Sequence, residues 1–78
     1  MLKDIIKENP ESTFVVIDGY NDAIIGSKID DESHLIYDQD KMYDIMLSNG
    51  FTDYDECAEW FYFNIECLSG MENGPVFK

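Results

Sequence analysis

Residues 38 to 68 place eight carboxylates, Asp38, Asp40, Asp44, Asp53, Asp55, Glu56, Glu59 and Glu66, against one lysine, Lys41. Three chemistries are open to such a cluster: acid–base catalysis, coordination of a hard cation, or presentation of negative charge to a basic partner. Seventeen acidic residues are available and no spacing singles out a catalytic pair. One histidine, no arginine, no glycine-rich phosphate loop and no nucleophile motif leave a chain that reads as non-enzymatic, with no cofactor implied. Asp38-Gln39-Asp40 opens like a calcium loop, but Tyr43 stands where Gly is needed and Asn49 where Glu is needed. His34, Cys57 and Cys67 contain no close pair of zinc ligands, so no metal site is expected and His34 reads as a half-buried strand residue.

Charge presentation remains. The formal net charge is -12, which argues against a protein that grips nucleic acid through its phosphates. It suits one that meets a basic surface. Asp55 and Glu59 stand one helical turn apart, about 6 Å of rise, a spacing comparable with successive phosphates of one DNA strand. Like charges four apart on a helix cost a few tenths of a kcal/mol, and a surface selected only for solubility usually mixes signs. The bland alternative is an acidic face that only keeps the protein solvated. Trp60, Phe61, Tyr62 and Phe63 add an aromatic cluster. Phe61 and Phe63 are assigned to the core, while Trp60 and Tyr62, at or near a polar stripe, are candidates for contact with a partner or a dimer mate.

The elements that must position these groups are legible in outline. Leu2, Ile5 and Ile6 predict a short helix ending near Asn9, because the residue before Pro10 avoids helical angles. Thr13–Ile17 is a β-branched and aromatic run that meets Asp18-Gly19, a favoured hairpin dipeptide, and predicts a first strand. Ala23–Ile29 and His34–Tyr37, separated by a polar turn, predict two more strands of an antiparallel meander. Met42, Ile45 and Met46 then predict a helix capped by Asp38 or Asp40 and stopped at Asn49-Gly50. A second helix, capped by Thr52 with Asp55 three residues later, carries Tyr54, Ala58, Phe61, Ile65 and Leu68 on one apolar row. Trp60, Phe63 and Cys67 form a second row beside it, leaving Asp55, Glu59, Tyr62 and Glu66 as the polar stripe. Pro75-Val76-Phe77 returns as a short edge strand.

These elements make a single domain over residues 1–78. The expected fold is α+β, a three- to four-stranded antiparallel sheet with two longer helices on one face and a short N-terminal helix. A hydrophobic fraction of 45 % and an aromatic fraction of 14 % supply enough apolar surface for folding despite the charge. Cys57 and Cys67, about 15 Å apart along one helix, lie beyond the ~7 Å reach of a disulfide. Both are expected to be buried apolar side chains in a reducing compartment. With no window of apolar residues long enough for a membrane span, the expected setting is the cytoplasm.

Asp22-Ala23-Ile24-Ile25-Gly26, Leu35-Ile36-Tyr37-Asp38, Tyr43-Asp44-Ile45-Met46, the Gly50-Phe51-Thr52-Asp53-Tyr54-Asp55-Glu56 junction, Trp60-Phe61-Tyr62-Phe63-Asn64 and Gly74-Pro75-Val76-Phe77 together resemble a family of small acidic, mostly uncharacterised proteins of phages and prophages. The family carries no firm activity. Small acidic phage proteins often inhibit host defence, some by imitating DNA, and the resemblance implies such a role in the host cell cytoplasm. The resulting expectation is a non-enzymatic inhibitor, like an anti-CRISPR or anti-restriction protein, that blocks a basic nucleic-acid-binding site on a host protein. Asp38, Asp40, Asp44, Asp53, Asp55, Glu56 and Glu59 would supply charge, and Trp60 and Tyr62 would anchor. The alternative expectation is a structural or adaptor module that forms a homodimer or larger homo-oligomer through its aromatic helix face.

Overall fold

Leu2–Glu8 form helix α1, which buries Ile5 and ends where the Asn9 side-chain amide donates to the Ile5 carbonyl at 2.9 Å, just before Pro10. The computed structural model describes residues 1–78. Strands β1 (Ile24–Ile29) and β2 (Ser33–Tyr37) follow, then helices α2 (Gln39–Ser48) and α3 (Tyr54–Asn64) and a two-residue strand β3 (Val76–Phe77). The chain is an α+β domain with strand order β1-β2-β3.

Two sequence-based expectations about the strands need correction. Thr13–Ile17 pairs with no strand. Its backbone is held by single bonds to distant groups: Val15 N–H donates to the Asn73 carbonyl at 3.3 Å, and Ile17 N–H to the Tyr37 hydroxyl at 2.9 Å. Asp18-Gly19 does turn the chain, with Gly19 at φ +89°, but a 3₁₀ turn at Asn21–Ala23 follows and carries it away from a hairpin. The sheet is also mixed. β1 and β2 are antiparallel, whereas β3 runs parallel to β2 with Ile36 opposite Val76 and Tyr37 opposite Phe77. Parallel neighbours need a long crossover connection, and here α2 and α3 are that crossover.

β2 is the central strand and alternates strictly, Ser33, Leu35 and Tyr37 buried with His34 and Ile36 half-buried. Leu35 and Tyr37 join Ile24 of β1, Met42 and Met46 of α2, and Cys57 and Phe61 of α3 in one core. Phe61 lies edge-on to Tyr43 at 5.7 Å and to Phe77 at 4.9 Å between ring centroids, an arrangement favoured by the aromatic quadrupole.

The helix boundaries follow local chemistry. Asp38 caps α2 by accepting from Lys41 N–H at 3.1 Å. At the other end Gly50, φ +110°, donates to Leu47 O and Phe51 donates to Met46 O, the paired bonds of a Schellman turn. The cap of α3 is Asp53 rather than Thr52, its carboxylate accepting from Glu56 N–H at 2.9 Å. Asp is at least as good an N-cap as Thr, and this register puts Glu56, a longer acid than Asp55, at the third helical position. Thr52 instead donates from both its N–H and its hydroxyl to the Glu56 carboxylate.

α3 is shorter than its apolar period predicts. After Asn64 the chain tightens into a 3₁₀ turn, Glu66–Gly70, with Leu68 N–H donating to Ile65 O at 2.9 Å. Ile65 remains buried and Leu68 packs against the core, so the apolar row persists through the change of helix type. Two side chains expected inside are outside: Phe63 is 76 % exposed, and Cys67 is exposed whereas Cys57 is fully buried. Phe63 stands about 200° around the helix from Phe61, so only one of the two can face the sheet. Burial pushes the Cys57 thiol pKa up, and the neighbouring Glu56 and Asp53 add to it.

Candidate protein-interaction surface

The α2–α3 hairpin determines where the acids sit. Met42, Tyr43 and Met46 face inward from α2, and Cys57 and Phe61 from α3, which leaves Asp40, Asp44, Asp55, Glu56 and Glu59 exposed. Tyr54 bridges the two helices, its hydroxyl donating to Asp44 Oδ1 at 3.0 Å. That bond pushes the Tyr54 pKa up, and the charges of Asp44 and Asp40 push it further. The Asp44 and Asp40 carboxylates of α2 therefore lie close enough to the N-terminus of α3 to act on Tyr54.

Within the α2–α3 hairpin the carboxylates do different things. Asp38 and Asp53 are helix caps, Asp44 holds Tyr54, and Glu56 holds Thr52. Asp40, Asp55 and Glu59 make no side-chain bond at all, so their charge is directed only to solvent. None of the seven carboxylates forms an ion pair. The chain's one lysine–carboxylate pair lies at the β1–β2 turn, where Asp30 approaches Lys28 Nζ at 3.6 Å, with His34 Nε2, a cation only when the ring is doubly protonated, at the same distance. There the bond from the Glu32 N–H holds the Asp30 carboxyl below its ordinary pKa, with Lys28 and His34 contributing. Of the five lysines, Lys3 and Lys7 ride on α1, Lys28 on β1 and Lys41 on α2, while Lys78 lies at the start of α2, its carbonyl accepting from Gln39 N–H at 2.8 Å.

The two aromatic anchor candidates are exposed, Trp60 at 40 % and Tyr62 at 56 %, but they do not share a patch. Trp60 leans on Phe51, ring centroids 5.8 Å apart and planes at 87°, and borders a groove of about 290 Å³ with Glu56, Glu59, Phe63 and Asn64. Tyr62, two residues on, lies across the helix and packs edge-on against Phe61 at 5.5 Å. It borders a second, larger cleft of about 540 Å³ between α3 and β3, where His34, Glu66 and Phe77 also contribute. His34 is oriented there by a 2.7 Å hydrogen bond between Nδ1 and the Gly74 carbonyl, which makes Nδ1 the protonated nitrogen.

Sequence reasoning missed Phe63 as a surface residue, although its 200° offset from Phe61 was a usable signal. It also missed Tyr54 as the link between the acidic helices; its place on the apolar row concealed that its ring lies at an exposed helix start. No group of three or more His, Cys, Asp or Glu side chains is arranged to hold a metal ion, and no helix is long and apolar enough to cross a membrane. No family model, no curated protein and no solved structure matches the chain.

Proposed function

We propose that this protein is a non-enzymatic inhibitor that sets the carboxylate-rich face of α2 and α3 against a basic, nucleic-acid-binding site of a host protein. The observation that carries this reading is the absence of any ion pair at Asp38, Asp40, Asp44, Asp53, Asp55, Glu56 or Glu59, none of which meets one of the chain's five lysines. Uncompensated charge on a small domain raises the rate of encounter with an oppositely charged surface and penalises other partners. A polyanion-binding groove supplies that surface, and rigid helices hold the carboxylates at fixed spacing. The resemblance to small acidic phage proteins supports a host defence enzyme as the target.

The test is capture from host lysate by the immobilised chain, beside a variant carrying D40N, D44N, D55N, E56Q and E59Q. Nucleic-acid-binding proteins are expected on the wild-type matrix only, released by duplex DNA and by about 0.5 M salt, where screening shortens to a few ångströms. Retention that duplex DNA and salt leave unchanged would overturn charge mimicry. A second reading, self-association through the aromatic face, is favoured by the 76 % exposure of Phe63. Sedimentation decides between them: a salt-indifferent dimer supports an adaptor, a monomer the inhibitor.

A further inference from the structure

The groove beside Trp60 is built from a narrow set of chemical groups. Glu56, Glu59, Trp60 and Phe63 fall at positions i, i+3, i+4 and i+7 of α3, so they form one outward stripe, and Asn64 closes its end. Phe51 braces the indole from the side and fixes its orientation. Apart from the Trp60 indole N–H and the second Asn64 amide hydrogen, the polar atoms left for a visitor are acceptors. One oxygen of Glu56 takes the Thr52 bonds, leaving the other free; Glu59 is unbonded; and the Asn64 amide nitrogen already donates one hydrogen to the Trp60 carbonyl at 3.1 Å, leaving the amide oxygen. No lysine lines the groove.

Aromatic walls with negative, carboxylate-lined edges suit a planar cation that donates from its rim and stacks through its face. We propose that this groove is a seat for an arginine side chain on a basic segment of a partner protein, with Trp60 and Phe63 against the guanidinium plane and Glu56 and Glu59 accepting from its N–H groups. Arg is the cation most often found over aromatic faces, and its five donors match carboxylates in a way that the Lys ammonium does not. A second copy of this chain is a poor occupant. It carries no arginine and brings a net charge of -12 against the same carboxylates. The inference rests on the reading that the helical acids face a basic partner, and narrows it to one residue type at one place.

Trp60 is the sole tryptophan, so its emission reports on the groove. The experiment titrates the full chain with end-blocked octa-arginine and octa-lysine at low salt. Octa-arginine is expected to shift Trp60 emission saturably and to bind about tenfold more tightly than octa-lysine. The E56Q/E59Q variant and F63A are each expected to weaken it by about tenfold, and D40N/D44N by much less. Phe63 and Glu59 are exposed, so these variants should keep the wild-type circular dichroism spectrum. Binding that falls equally with D40N/D44N and ignores F63A, or octa-lysine binding as tightly as octa-arginine, overturns the seat while leaving the charged face intact. No binding of either peptide overturns both. Self-association of the free chain that F63A abolishes gives the groove to a second copy and likewise overturns the proposal.

Discussion

The Ile17 backbone N–H donates to the Tyr37 hydroxyl, 2.9 Å away and buried. This one bond ties the extended 13–17 segment to the central strand without any ladder, and it gives the phenol oxygen a partner inside the core. Burial pushes the Tyr37 pKa up, and the bond from Ile17 partly offsets it. Y37F keeps the ring and removes the acceptor, stranding a buried donor. The expected cost is about 1–3 kcal/mol, read as a fall in melting temperature of about 4–8 °C per kcal/mol. An unchanged melting temperature would show that the segment does not depend on this bond.

Gly74 and Gly70 offer a matched pair. A Cβ at Gly74 would fall onto the Leu68 carbonyl oxygen, and would also crowd Met71 O at 2.9 Å, both of them backbone atoms that cannot swing aside. The same carbon at Gly70 meets nothing within 4 Å. Gly74 also accepts from His34, so displacing it loosens the tail from β2. G74A should therefore destabilise by about 1–3 kcal/mol or more, and G70A by much less, in denaturant titration. Equal effects would contradict the close approach.

Stability should change with pH at two places. The Asp30 carboxyl is held below its ordinary value by the Glu32 N–H and by Lys28 and His34. Its contribution is present above about pH 4 and is lost as pH falls through the folded value. The stability difference between wild type and D30N should thus shrink on acidification. Tyr20, Tyr37 and Tyr54 are all pushed up, the first two by burial and the third by Asp44. The native state therefore keeps these protons longer than the unfolded chain does. Cys57, pushed up by burial, should begin the loss of stability above about pH 8.5, and the tyrosine contribution should be whole below about pH 10 and drain away as pH rises through the folded values. Denaturant midpoints measured across pH read both limbs, and a midpoint that climbs above pH 10 would refute the second.

Salt should stabilise the fold. With ion pairs confined to Asp30, the other sixteen carboxylates repel with little compensation. Raising ionic strength from dilute buffer to about 0.2 M shortens the screening length to below about 10 Å. The melting temperature should rise over that range and level off. A fall would mean that attractive pairs outweigh repulsive ones.

What could be read in advance was whatever the chain settles with its near neighbours. The end of α1 near Asn9, a cap of α2 at Asp38 or Asp40 with its stop at Asn49-Gly50, the β2 strand, and the outward position of Asp55 and Glu59 all follow from contacts within about one helical turn or one strand pleat, the structure choosing Asp38 as the cap. The displaced cap of α3, Asp53 for Thr52, was a local matter too, a choice between two adjacent side chains in which the longer acid at Glu56 tipped the register.

By itself, then, the sequence determined the helices, the β1–β2 pair and a surface dominated by negative charge, because hydrogen-bond periodicity and capping act over a few residues. Only the tertiary structure decided that Thr13–Ile17 bonds to Asn73 and Tyr37 instead of a strand, and that β3 lies parallel to β2. It also decided that Phe63 faces water, that Cys67 is exposed, and that Trp60 and Tyr62 border separate hollows. Each of those outcomes turns on which remote segment fills the space beside a residue. An apolar or β-branched side chain specifies that it prefers burial or extension, but the partner that grants either comes from the opposite end of the chain.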